Sequence, residues 1–378
     1  MKKQFSTLII LLALFATAAK GQKKWIEKLT SKEPDTTRSA SLLPLPVIGY
    51  AQETGFEFGL AVLYSFYTDK KDTVTRNSSI NTVATLTSKG QSNFFIKTDL
   101  WSPQNKYHYL SEIRYRNFPF DFYGTGDNTL EKDKDKLNQK LVRIQGEVEK
   151  QLAKFYYGGV NANFESYSFR DKEDGGIYTQ DLAIQGKSGG KVLFLGISQI
   201  LDTRNTNTYT TKGSYLKLSY AYAPDIFGND NFTGGLFSTD FRVFRPAGRK
   251  GVVGLQVFYK TLQGSNSPFY LLPQLGNDQL MRGYYGGRYR DQNLLALQSE
   301  FRYRFIPRLG VAAFAGAGNV FQNKKFDLNT FKPSYGGGLR YFFDPERDLS
   351  VRFDYGIGEK RPGEERQKGF YISFGEAF

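Results

Sequence analysis

Lys368-Gly369-Phe370-Tyr371-Ile372-Ser373-Phe374-Gly375-Glu376-Ala377-Phe378 reads as an alternating strand. Phe370, Ile372, Phe374 and Phe378 are expected on one face, with Tyr371, Ser373, Gly375 and Ala377 on the other. Half-buried strands of soluble proteins alternate as well, so one such strand decides little. The pattern recurs down the whole chain, however, behind a secretory leader. That combination predicts an all-β fold: a 16-stranded antiparallel transmembrane β-barrel with lipid outside and a polar lumen inside.

The leader has a basic start at Lys2 and Lys3, an apolar run from Leu8 to Ala19, and a small-residue cleavage site at Ala19-Lys20-Gly21. The run is too short for a spanning helix, which needs about 20 residues. Residues 1–21 are therefore expected to be a signal peptide, 22–42 a short periplasmic segment and 43–378 the barrel. With no Cys, disulfides and thiolate metal sites are excluded. A mean hydropathy of −0.47 and the lack of another long apolar run exclude a helical membrane protein. The 33 Phe, 25 Tyr and 39 Gly suit a barrel, with aromatic girdles at the interfaces and Gly where strands curve. The formal charge of +14 would suggest nucleic acid in a soluble protein, but a secreted chain does not meet it. The excess is expected in the lumen and against anionic outer-membrane lipid, lipopolysaccharide included.

Sixteen segments read as strands: 43–51, 55–67, 79–89, 91–101, 106–117, 139–152, 154–169, 189–201, 213–223, 234–246, 250–263, 292–305, 308–320, 333–343, 348–357 and 368–378. An even number lets the first and last strands meet antiparallel. The longest gaps, 118–138, 170–188 and 264–291, all fall on the expected outer side. Turns on the inner side are short near Ala153 and Ile306-Pro307, whereas 68–78 and 202–212 are longer. Leu349, Val351, Phe353, Tyr355 and Ile357 point outward, which turns Ser350, Arg352 and Asp354 inward. Leu295, Leu297, Phe301, Tyr303 and Phe305 likewise leave Gln298, Glu300, Arg302 and Arg304 inside. A Lys or Arg on the lipid face costs about 2–4 kcal/mol at the midplane, so the charged face is the lumenal one.

Within the longest outer gap stands Leu280-Met281-Arg282-Gly283-Tyr284-Tyr285-Gly286-Gly287-Arg288-Tyr289-Arg290-Asp291. Its Arg-Gly-aromatic core resembles the Val-Arg-Gly-Phe/Tyr loop of the BamA/TamA (bacterial surface antigen) family, with Met281 at the apolar first position. Leu45-Pro46-Val47-Ile48-Gly49-Tyr50 resembles that family's first hairpin. Leu201-Asp202-Thr203-Arg204 resembles an inner turn, and Leu349-Ser350-Val351-Arg352-Phe353-Asp354-Tyr355 a late strand. The resemblance spans 43–378. It implies that the loop folds into the lumen and that Arg282 pairs there with Asp354 and Glu300. Gly283 would allow close backbone approach, and Tyr284 would pack on the inner wall. Gly316 stands where the family often has an acidic residue. POTRA domains, which precede the barrel in family members that assemble other barrels, are not seen in the sequence, so a barrel-only member is expected.

His108 is the only histidine, expected to face the lumen near the inner rim with no partner for catalysis or metal binding. No enzyme activity, metal or cofactor is expected. The resemblance implies outer-membrane biogenesis in the bacterial outer membrane, by protein insertion or translocation or by lipid rearrangement. Client outer-membrane proteins or a periplasmic partner would take part. A lateral seam is expected where the first strand, with Pro44 and Pro46, meets the last, with Phe374 and Phe378. The alternative is a passive anion-preferring pore or a structural surface barrel.

Overall fold

The fold is seen in a computed structural model, which describes residues 38–51, 55–173, 175–228 and 231–378. The expected signal peptide, 1–21, and most of the expected periplasmic segment 22–42 lie outside the described residues. The first half of the wall is β1 (Ser41–Ala51), β2 (Gly55–Phe66), β3 (Ser78–Thr87), β4 (Ser92–Trp101), β5 (Tyr107–Phe122), β6 (Asp135–Ala153), β7 (Tyr156–Asp171) and β8 (Gly189–Asp202). β9 (Gly213–Ala223), β10 (Gly234–Ala247) and β11 (Gly251–Gln263) continue it. The two-residue strands β12 (Gln274–Leu275) and β13 (Tyr289–Arg290) pair only with each other. The wall resumes with β14 (Asn293–Ile306), β15 (Leu309–Phe321), β16 (Lys332–Asp344), β17 (Leu349–Ile357) and β18 (Lys368–Phe374).

Sixteen strands form one sheet in which every neighbour is next along the wall, with β14 beside β11. All pairings are antiparallel, as expected from the sequence. β1 and β18 approach each other, and among the described residues no hydrogen-bonded register joins them. Leu43 and Leu45 of β1 nevertheless pack in one cluster with Phe343, Leu349 and Val351 from the far end of the sheet. No helix among the described residues is long and apolar enough to cross a membrane.

Alternation sets which way each side chain points. In β17, Ser350, Arg352 and Asp354 are buried while Phe353 and Tyr355 are exposed. In β14, Gln298, Glu300 and Arg302 are buried while Leu297, Phe301 and Tyr303 are exposed. The outer surface is therefore a band of apolar and aromatic side chains, as lipid requires.

Two regions differ from expectation by more than two residues. β5 and β6 run on past the expected 118–138 loop, pairing as far as Phe122 and Asp135. There the sense of alternation changes. Asn117, Pro119 and Asp121 continue the parity of the exposed Ile113 and Tyr115 but are polar or proline positions and half-buried, and Phe122 is fully buried against Phe269 of the long loop. Pro119 is tolerated because β4 ends its pairing with β5 at Asn117, so one edge no longer needs its amide.

The terminal strand stops at Phe374 rather than Phe378. Extending it would place Glu376 on the face of Phe370, Ile372 and Phe374, against lipid, which is unfavourable for a carboxylate. Gly375 takes φ +70° and turns the chain inward. Glu376 then reaches Arg340 at 2.8 Å, and Phe378 is buried with Phe244 and Val252. Phe378 therefore belongs to the lumen and not to the outer face or the seam. Phe378→Ala should lower the barrel's stability by about 3 kcal/mol or more, the usual cost of emptying a buried aromatic site. Phe374→Ala, on the exposed face, should change it little. The temperature at which the folded form loses its altered gel mobility measures both.

Candidate functional site: the inturned loop and its lumenal lock

The segment joining β11 to β14 is too long for a hairpin and too apolar for an exposed loop. Leu275, Leu280, Met281, Tyr284 and Tyr289 form a buried cluster with Leu294, Ala296 and Val320 of the inner wall. This burial draws the loop into the lumen and carries Arg282 with it. The Arg282 guanidinium is 1 % exposed, which would be costly without partners. It has two: Nη1 lies 2.6 Å from Asp354 Oδ2, and Nη2 lies 2.5 Å from Glu300 Oε2. Its plane also covers the Phe314 ring at 3.5 Å. Where the resemblance led one to look for a carboxylate, at Gly316, the Phe314 ring two residues earlier supplies a cation–π face.

Backbone contacts fix the same tripeptide. Ser334 Oγ donates to the Arg282 carbonyl at 2.6 Å, and the Met281 amide donates to Gln298 Oε1 at 3.2 Å. Gly283, at φ +107°, sits so close to β17 that a Cβ there would lie 2.7 Å from the Ile357 backbone. Its amide donates to Tyr371 Oη at 2.9 Å, tying the loop to β18. Tyr284 is buried with its hydroxyl donating to the Pro333 carbonyl at 2.5 Å and accepting from the Glu359 amide at 2.9 Å.

Arg282 is one of four guanidinium groups in a shared cluster. Arg302 Nε reaches Glu300 at 2.7 Å. Arg340 Nη1 reaches Asp354 at 2.5 Å, and Arg352 Nη1 reaches Asp354 at 2.8 Å. Glu376 of the tail pairs with Arg340, and Asp278 of the loop pairs with Arg352 at 2.7 Å. Arg282, Arg302, Arg340 and Arg352 thus face the side-chain carboxylates of Glu300, Asp354, Glu376 and Asp278. The cluster joins β14, β16, β17, the loop and the tail. Sequence reading missed Arg340, Glu376 and Asp278. The parity of Glu376 with Phe374 was the one available sign that the tail leaves the wall.

A second set of contacts closes the loop from above. Arg288 reaches Glu131 at 3.3 Å and also pairs with Glu364. The Asp121 amide donates to Tyr285 Oη at 2.9 Å. Burial opposes the charge on Glu364, but the Glu131 amide and Arg288 outweigh it and hold that carboxyl below its ordinary range. The opposite end has its own floor. Arg76 pairs with Asp202, and Asn207 donates to the Asn77 carbonyl, so the two long inner connections pack on each other. Tyr209 crosses to Phe342, with ring centroids 5.2 Å apart.

The remaining sites named from the sequence are dispersed. Pro44 and Pro46 point outward on β1 opposite Val62 and Leu60, and Phe374 is exposed at the end of β18. His108 is buried near the floor between Glu149 at 2.6 Å and Asp99 at 3.0 Å, stacked on Trp101. Two carboxylates and an indole occupy both its nitrogens and one ring face, an arrangement that holds the ring in place.

A sixteen-stranded barrel with an Arg-Gly-Tyr loop locked inside it defines a class of protein. The Omp85 superfamily domain model matches residues 74–378, and the chain belongs to that superfamily. Among solved structures, the chain is similar to BamA from Haemophilus ducreyi lacking POTRA domains 1-3, with TM-score 0.56 and 14 % identity over 89 % of this chain and 70 % of that one. It is similar to CdiB from Acinetobacter baumannii, with TM-score 0.52 and 12 % identity over 92 % of this chain and 66 % of that one. CdiB from Escherichia coli gives TM-score 0.54 and 12 % identity over 88 % of this chain and 62 % of that one. The chain thus spans somewhat under two thirds of each CdiB and 70 % of the BamA structure, and at these identities the likeness is one of fold. Among the described residues no POTRA-like domain precedes β1. No curated protein matches the sequence.

Proposed function

We propose that this chain works in biogenesis of the bacterial outer membrane, inserting or moving polypeptides, or rearranging lipid, at the seam between β1 and β18. The observation that carries this reading is the junction where β1 and β18 approach each other with no hydrogen-bonded register among the described residues, in a sheet that is otherwise laddered throughout. An open strand edge in hydrocarbon leaves amides and carbonyls unsatisfied, so the surrounding bilayer thins or another strand adds to the edge. Pro44 and Pro46 deprive β1 of two donors and keep the junction weak. A client strand docking on β18 would gain main-chain hydrogen bonds in place of β1. Outer-membrane lipid, lipopolysaccharide and client outer-membrane proteins are the partners in this reading, and a separate periplasmic protein would deliver the clients. No chemical catalysis enters it.

A passive anion-preferring pore is less well supported, because the loop, the tail and the inner floor all occupy the lumen. Depletion of the protein tests the proposal. The expected result is altered abundance of outer-membrane proteins or lost lipid asymmetry. An unchanged outer membrane together with steady, anion-selective conductance of the purified barrel would favour the pore instead.

A further inference from the structure

Beneath the inturned loop the lumen opens into a cavity of about 760 Å³, walled chiefly by β5, β6, β7, β10 and β11 and roofed by Pro273, Asn277 and Tyr285. Five cationic side chains line it, Arg116, Arg143, Arg242, Lys260 and Arg290, against two carboxylates, Glu165 and Asp240. Both carboxylates are engaged. Arg143 Nε holds Glu165 at 2.7 Å, and Arg242 holds Asp240 at 2.5 Å. Among the described residues, Arg116, Lys260 and Arg290 have no ion-pair partner. This differs from the cluster around Arg282, where every guanidinium meets a carboxylate, and from Lys217 near the floor, which meets Glu147 and Glu149.

The surplus is held in place. Arg290 is 2 % exposed, wedged among Phe120, Phe122 and Phe269, and its Nε and Nη2 both donate to the Gly287 carbonyl. Arg116 lies over the Phe118 ring at 3.7 Å. Lys260 projects from β11 with no hydrogen bond to the protein among the described residues. Like charges gathered in a low-dielectric chamber repel one another and focus a positive potential on the space between them.

We propose that this cavity binds a small, multiply charged anion of the phosphate class. Three uncompensated cations match a group of two or three negative charges, whereas a single carboxylate would leave most of the surplus unanswered. Arginine forks and a lysine ammonium are the ordinary protein partners of phosphate oxygens. The phosphate arrives either as a free ester or inorganic ion or as the headgroup of a lipid. The proposal makes no use of the seam, so it stands or falls apart from the biogenesis reading.

The test uses the purified full-length barrel, titrated calorimetrically with pyrophosphate in phosphatidylcholine nanodiscs and low-chloride buffer. The lipid arm uses native mass spectrometry of protein extracted from bilayers doped with phosphatidic acid. Saturable one-site pyrophosphate binding, weakened at least tenfold in Lys260→Met and in Arg116→Met, supports the site and assigns it to free anions. A single retained phosphatidic acid, displaced by pyrophosphate and lost in both variants, supports it and assigns the headgroup. Lys260 makes no contact that holds the fold, so its variant should assemble with unchanged heat-modifiability. Absence of binding in both arms, or binding unaltered in both variants, overturns the proposal. Binding of hexaglutamate with no competition from pyrophosphate overturns it as well.

Discussion

Arg282→Ala should free the inturned loop, so that the folded barrel melts at a lower temperature and its conductance in planar bilayers rises. Removing one member of a buried ion pair costs about 3–5 kcal/mol, because the partner charges stay behind unpaired. Here Glu300 keeps Arg302 and Arg340, and Asp354 keeps Arg340 and Arg352, which places the loss at the low end of that range. What those remaining arginines cannot replace is the tie to the loop. Asp278 and Tyr284 then hold it from either side of a missing centre. Arg282→Lys should not restore the lock, since one ammonium cannot reproduce a planar fork bridging two carboxylates and covering the Phe314 ring. Unchanged melting and unchanged conductance in Arg282→Ala would remove the lock from the account.

Gly283→Ala should act comparably while leaving every charge in place. Two costs add at this residue. The positive φ disfavours a side chain by about 1 kcal/mol or more. The new Cβ would also stand 2.7 Å from backbone atoms of Ile357 in a strand that cannot recede. The loop must therefore lift from β17, pulling Arg282 off Asp354 and breaking the bond from the Gly283 amide to Tyr371. Gly146→Ala is the control. Gly146 lies in β6, and a Cβ there meets nothing within 4 Å. Bilayer recording and heat-modifiability should separate the two variants cleanly. Equal behaviour would mean that close approach at Gly283 does not hold the loop.

The wall of the barrel was legible because alternation is a local property. Phe353 and Tyr355 beside Arg352 and Asp354 already state which side is lipid, and the same parity puts Glu300 in the lumen. The partners of Arg282 could thus be named once a family resemblance placed its loop inside. The rest of the cluster was not legible. Glu376 and Asp278 reach it from a tail and a loop whose paths depend on the packed lumen, not on any period in the sequence. The apparent strand through Phe378 misled because Phe378 kept the correct parity, while the carboxylate of Glu376, on that same parity, already ruled the lipid face out. The β5–β6 extension was missed for a related reason. Above the membrane the outward face turns polar, as at Asn117 and Asp121, so the usual sign of a barrel strand reverses. The inner floor from Arg76 to Asp202 and from Tyr209 to Phe342 joins residues far apart in sequence, and only the curved sheet brings them together.

Photocrosslinking from the wall during outer-membrane assembly asks whether the junction of β1 and β18 is where the barrel works. A photoreactive phenylalanine analogue replaces either Ile372, exposed on β18 at the seam, or Leu339, exposed on β16 within the continuous ladder. Position 372 should capture newly made outer-membrane proteins or a localised lipid product, while position 339 should yield only bulk lipid. Identical products from both positions would mean that the gap between β1 and β18 is no working site, and would contradict the proposed function.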